Sequence, residues 1–223
     1  MLQLARTKVQ LTPAEHAQLR AAVERDASEF AHRLAHPLEV DRLEQPWFRR
    51  HRILDVQSAI PFPARRLHVV AGGTDMRVLT AHLEHLQRTA ASDPPLDLDD
   101  EENAAAYAAY GNAWTRVHVL GELAISSFAE IPWHDDLDDA QRRTIEELAA
   151  RWGEAIRPEE RRRGPDGWVF HSWWVAVRRL IERELVVPQG GQLRRIDQVR
   201  AEELPVPPGN HWGMVNGRLV PIG

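Results

Sequence analysis

The chain has 223 residues, 43% hydrophobic and 27% charged, with a net charge of −5, so it can bury a sizeable core and is ordinary in polarity for a globular protein. Only Lys8 among its 28 basic residues is a lysine, and it has no cysteine. Thiolate nucleophiles, disulfides, iron–sulfur clusters and cysteine zinc sites are therefore excluded, and Schiff-base or P-loop chemistry would rest on one amine in an N-terminal tail.

The charge is segregated. Residues 91–140 carry one basic residue, Arg116, against 12 acids, while both flanks are mildly basic. Neither flank shows a basic stripe with interleaved aromatics, which argues against nucleic acid as a partner. No apolar run approaches the roughly 18–20 residues needed to span a bilayer, and residues 1–10 lack the apolar stretch of a secretory signal. A cytoplasmic location is the expectation, with no membrane association.

In chain order, the first element is a helix. Thr12-Pro13-Ala14-Glu15 supplies a capping hydroxyl, a proline at the first helical position and a glutamate three residues after the cap. Leu19, Val23, Ala27, Phe30 and Leu34 follow at helical spacing and Pro37 closes the run. Residues 38–48 read as a second short helix or an ordered connection. Aliphatic residues 53–60 and then Leu67 to Val70 read as strands, the second stopped by Gly72-Gly73. A helix is expected from Asp75 through Leu79, Leu83 and Leu86 to Ala90, and an alanine-rich helix from Glu101 to Trp114.

Residues 117–128 favour a strand, because Val117, Val119, Leu123 and Ile125 share one parity. Asp138 or Asp139 caps a helix through Ile145, Leu148 and Trp152 that ends near Pro158, and the charged stretch 158–167 reads as a loop and the best candidate for an internal boundary. The last third fits a helix over 170–185 or an antiparallel meander. The aromatic and β-branched content, Gly190-Gly191, and the hairpin signal Val215-Asn216-Gly217-Arg218 favour the meander. The fold expected is α+β: helices packed on a mainly antiparallel sheet in one compact domain over residues 1–223. Its N-terminal portion, about 12–48, would be helical, and its last third, about 168–221, rich in sheet. A mostly α-helical chain is the competing pattern.

Eight tryptophans include the adjacent pair Trp173 and Trp174, with His171 close by. An indole offers a large apolar face and one donor, which suits ligand platforms, interfaces and cores alike. Neighbours on a strand point to opposite faces, so the pair can place one indole in the core and one outward. His118 and Glu122 share a face on a helix or a strand, and His134-Asp135 precedes the helix capped by Asp138. Together they could hold a divalent cation. His82 and His85 flank Glu84 at helical spacing and read as solvated helix histidines. Gly72-Gly73-Thr74-Asp75 could meet an anion at a helix start, but Asp75 would repel phosphate and a helix cap is the plainer account.

Two functional readings follow. The first is a non-catalytic intracellular binding or accessory protein, with Trp173, Trp174 and His171 facing a protein partner or small apolar ligand and no cofactor. The second is a metal-dependent hydrolase in which His118, Glu122, His134 and Asp135 hold a divalent metal. Neither specifies an oligomeric state.

Overall fold

The computed structural model describes residues 4–58, 66–73, 75–93, 95–114, 122–207, 212–215 and 218–221. The chain divides into two compact units, Met1–His118 with Val187–Leu193, and Val119–Val186 with Arg194–Gly223. The class is α+β, with antiparallel sheets and four α-helices among the described residues.

Helix α1 (Pro13–Asp26) begins at the expected capping box: the Thr12 hydroxyl accepts from the Glu15 N–H, and the Glu15 carboxylate accepts from the Thr12 N–H at 2.8 Å. The helical spacing continues past Asp26 only as a 3₁₀ segment, Ser28–Ala35. The first unit is built on a five-stranded antiparallel sheet in sequence order: β1 (Arg6–Lys8), β2 (Leu38–Leu43), β3 (Arg52–Ser58), β4 (Arg66–Gly72) and β5 (Asp75–Val78). Leu19, Ala22, Val23 and Phe30 pack on one face, against Val40, Leu54, Val56, Val69 and Val78. On the other face His68 of β4 stacks on Tyr110 of α3 (Glu101–Trp114), and Trp47 packs on Tyr107. With both faces covered, Ile53, Leu54, Asp55 and Val56 are all buried and the usual alternation of a half-exposed strand disappears.

Three expectations are corrected in secondary structure. Residues 38–43 form β2, not a helix, because Val40 and Leu43 are buried in pairing with Val56 and Ile53 of β3. Asp75 starts a strand rather than a helix. Gly73 takes a positive φ of 59° and closes the β4–β5 hairpin, in which Ala71 pairs Met76, so α2 (Leu83–Ser92) begins later. No helix among the described residues starts at Gly72-Gly73, so both the helix cap and the helix-start anion site read from the sequence are overturned there. The stretch 158–167 is not a loop: β7 (Glu160–Gly164) pairs β8 (Gly167–Ala176), and its exposed Glu-Arg-Arg-Arg sequence is that of a charged edge strand.

The second unit carries the expected meander. Strands β8, β9 (Arg179–Pro188) and β10 (Arg194–Ala201) are consecutive neighbours, and β6 (Glu122–Ile125) pairs the end of β8. Val177 and Arg178 both take positive φ, as a two-residue hairpin turn requires. Helix α4 (Asp139–Trp152), capped by Asp138 as expected, brings Leu148 and Trp152 onto Trp173, Val175, Leu180 and Ile125. Strands β11 (Trp212–Val215) and β12 (Arg218–Pro221) pair antiparallel, Val215 opposite Arg218, while Asn216 and Gly217 of the expected turn lie outside the described residues. No helix among the described residues is long and apolar enough to cross a membrane.

Candidate functional site

The turn between β2 and β3 carries the run Arg49-Arg50-His51-Arg52. Buried Trp47 and Phe48 anchor its start. The Gln45 side chain braces it, accepting from the Phe48 N–H at 2.7 Å and donating to the His51 carbonyl at 3.2 Å. Asp93, at the C-terminal end of α2 and 0% exposed, closes it from beneath. One carboxylate oxygen, Oδ2, accepts from the Arg50 N–H at 2.8 Å, the His51 N–H at 3.1 Å and His51 Nδ1 at 2.9 Å. Burial alone would raise the Asp93 pKa, but the His51 side chain and the two backbone donors hold it below the ordinary aspartate value.

This arrangement fixes the imidazole. Nδ1 carries the proton donated to Asp93, so in the neutral ring Nε2 keeps its lone pair. Nε2 makes no hydrogen bond among the described residues. The Cδ2–Nε2 edge lies against Gly72, where an added Cβ would stand 2.2 Å from Cδ2 and 2.6 Å from Nε2. His51 and Gly72 line a pocket of about 370 Å³ together with Arg42, Arg49, Arg50, Arg52 and Glu15. Arg52 pairs with Glu15, and Arg42 approaches Glu44 at 3.6 Å. Arg49 and Arg50 have no carboxylate partner among the described residues and are exposed. Four guanidinium groups thus share the pocket with one carboxylate.

A second polar group lies elsewhere in the same unit. His82, Glu84 and His85 bring their ligand atoms within 4.8 Å of one another, and they form the one such group of three or more His and carboxylate residues among the described residues. His82 donates from Nε2 to the Asp26 carbonyl at 2.8 Å, and its Nδ1 stands 3.0 Å from Glu84 Oε1. His85 donates from Nδ1 to the Val78 carbonyl at 2.7 Å. Burial disfavours charge on His82, but Glu84 and the Asp26 carbonyl outweigh it and raise its pKa above the ordinary histidine value.

The residues assigned from sequence to the two functional readings fall in the second unit, apart from His118, which lies outside the described residues. Both oxygens of Glu122 are held by arginines: Oε2 accepts from Arg183 at 3.0 Å, and Oε1 from Arg183 at 3.2 Å and Arg195 at 3.0 Å. His134 is half-buried with its N–H bonded to the Pro205 carbonyl, and Asp135 is exposed. Trp173 is 3% exposed and packs on Trp152 at 5.8 Å. Trp174, on the opposite face of β8, donates to the Ser172 hydroxyl and lies 4.3 Å from the Arg183 guanidinium. His171 meets Glu182 at 2.7 Å and packs edge-on to Trp173. Sequence reasoning missed His51 and Asp93. The one local signal was the cationic run 49–52, since a partner 42 residues away leaves no trace in spacing.

Compared with known protein families, curated proteins and solved structures, the chain matches none.

Proposed function

We propose that this protein is a binding protein for a small anionic ligand carrying a phosphate group, held in the pocket around His51. The observation that carries the reading is the pairing of two carboxylate-free guanidinium groups, Arg49 and Arg50, with an imidazole whose orientation is set by buried Asp93. Guanidinium forks match phosphate oxygens and lose little entropy on doing so. His51 Nε2 would accept a hydrogen bond from a ligand hydroxyl or a protonated phosphate oxygen, which favours a phosphorylated alcohol over a bare anion. The binding or accessory class expected from the sequence is kept, and its site is moved from the tryptophan pair to the arginine turn.

The test uses pyrophosphate and inorganic phosphate as probes, with chloride at matched ionic strength as the control. Thermal stabilisation and calorimetric binding by pyrophosphate are expected, and both should fall in the Arg49→Gln/Arg50→Gln double variant. A response to pyrophosphate no larger than that to chloride would remove the reading.

A further inference from the structure

We propose that His82, Glu84 and His85 form a binding site for a borderline divalent transition metal, zinc foremost, between the start of α2 and the end of α1. A carbonyl oxygen only accepts, so His82 Nε2 and His85 Nδ1, each bonded to a backbone carbonyl, must carry hydrogen. In the neutral rings this leaves lone pairs on His82 Nδ1 and His85 Nε2. Imidazoles that ligate metals are oriented in this way, by a carbonyl or carboxylate on the far nitrogen.

His82 Nδ1 faces Glu84 Oε1 at 3.0 Å, so a positive centre lies between them: a proton in the metal-free protein, which a metal ion would displace. Ligands on one tetrahedral zinc ion stand about 3.4 Å apart, given Zn–N and Zn–O distances near 2.0–2.1 Å. The present spread of up to 4.8 Å closes by side-chain rotation, and Glu84 has room to turn because 58% of its side chain is exposed. The two rings lie side by side, centroids 4.8 Å apart and 18° from parallel, and two imidazolium charges there would repel. One cation shared by the group avoids that repulsion.

Asp26 stands behind the imidazoles with its carboxylate held by Arg25 at 2.7 and 2.8 Å. Its Oδ2 also lies 3.8 Å from His85 Nδ1 and accepts from the Val78 N–H at 3.2 Å. Two imidazole nitrogens and one carboxylate oxygen suit zinc, nickel or copper better than calcium or magnesium. Three protein ligands leave one tetrahedral position for water or an incoming ligand.

The experiment is calorimetric titration of the untagged, metal-stripped full chain with zinc alone, repeated on Glu84→Gln and His85→Gln. One zinc per chain is expected, with affinity falling at least about tenfold in each variant. Cobalt in place of zinc should give the intense visible absorption of a four-coordinate ion. Glu84→Gln alters an exposed side chain, so it should keep the parent's metal-free melting temperature and separate lost ligation from lost folding. Failure to bind zinc at one per chain overturns the proposal, and the His82–Glu84 contact is then only a shared proton. Unchanged affinity in Glu84→Gln and His85→Gln overturns it equally, because the ion would then sit on other histidines.

Discussion

Asp93 holds both the ring and the backbone of His51 through a single oxygen, accepting from Nδ1 at 2.9 Å and from the His51 N–H at 3.1 Å. The opposite edge of the ring has no such latitude, because it rests on the bare Cα of Gly72. Gly72→Ala should therefore push the imidazole off Asp93 and leave a buried carboxylate short of one donor. A loss of about 1–3 kcal/mol is expected in urea unfolding, together with weaker pyrophosphate binding. Nitrogen-15 NMR of the histidine side chains supplies the direct check. A His51 Nδ1–H resonance that survives unshifted in Gly72→Ala would show that the ring is not wedged between these two residues.

Buried His68 makes a second prediction, in pH. Burial first, then the positive fields of Arg66 and Arg6, lower its pKa from 6.5 to about 3. Its Nδ1 lies 3.0 Å from the Tyr110 hydroxyl, and burial pushes the Tyr110 pKa well above the ordinary value, so this hydroxyl donates to a neutral ring. Asp55 Oδ1 stands 3.7 Å from Nε2, and with His68 neutral that contact is dipolar rather than an ion pair. Below pH 6.5 the unfolded chain binds a proton at this position that the folded chain refuses. Stability from His68 is therefore complete above 6.5 and is lost as pH falls toward 3, by up to roughly 1.4 kcal/mol per pH unit. Burial raises the Asp55 carboxyl, so that group works in the opposite direction: it favours the folded state at acid pH, and its contribution fades as pH rises through the raised value. Urea midpoints of the parent and His68→Gln, taken between about pH 7 and pH 5, isolate the histidine because Asp55 is common to both. The parent should lose more stability than the variant over this window. Parallel pH profiles would mean that His68 takes up its proton without unfolding.

What could be read from the chain follows from how local each determinant is. The Thr12 and Asp138 caps, the alanine-rich α3 and the pairing of β11 with β12 near the C-terminus are written within a few residues, and all stand where the sequence puts them. Strand β5 was obscured because Leu79, Leu83 and Leu86 continue a helical period across a boundary that the Gly73 turn actually governs. Strand β7 was obscured because an edge strand made of Glu and Arg has no apolar alternation to show. The pocket was obscured for a different reason. His51 and Asp93 meet only when β3 and the end of α2 pack together, and no short-range pattern encodes that pairing. The tryptophan pair illustrates the converse: composition marked it, and alternation correctly sent its two indoles to opposite faces of β8, Trp173 into the core with Trp152 and Trp174 against Arg183.

Arg183 supplies the last prediction. Its side chain is 0% exposed and binds two carboxylates, donating to Glu122 at 3.0 Å and to Asp197 at 2.8 Å, with the Trp174 ring beside the guanidinium. Arg195 joins the same two carboxylates. Burial works to raise the Asp197 carboxyl, but hydrogen bonds from Arg195 and Arg183 and their charges hold it below the ordinary aspartate value. Its stabilising contribution is thus present above the unfolded pKa and lost as pH falls through the lower folded one. Removing the arginine alone takes one of two guanidinium groups from between Glu122 and Asp197. Arg183→Ala should cost about 3–5 kcal/mol, from the lost charge-assisted hydrogen bonds to Glu122 and Asp197 together with the cavity the buried side chain leaves. The quadruple variant Arg183→Met/Arg195→Gln/Glu122→Gln/Asp197→Asn removes all four charges together, so that no guanidinium is left without its carboxylates, and should regain a large part of that loss, since well-packed neutral groups often match a buried ion pair in stability. Urea unfolding of the two variants decides between mechanisms. If the quadruple variant is no more stable than Arg183→Ala, the arginine acts through the volume it fills beside Trp174 rather than through its charge.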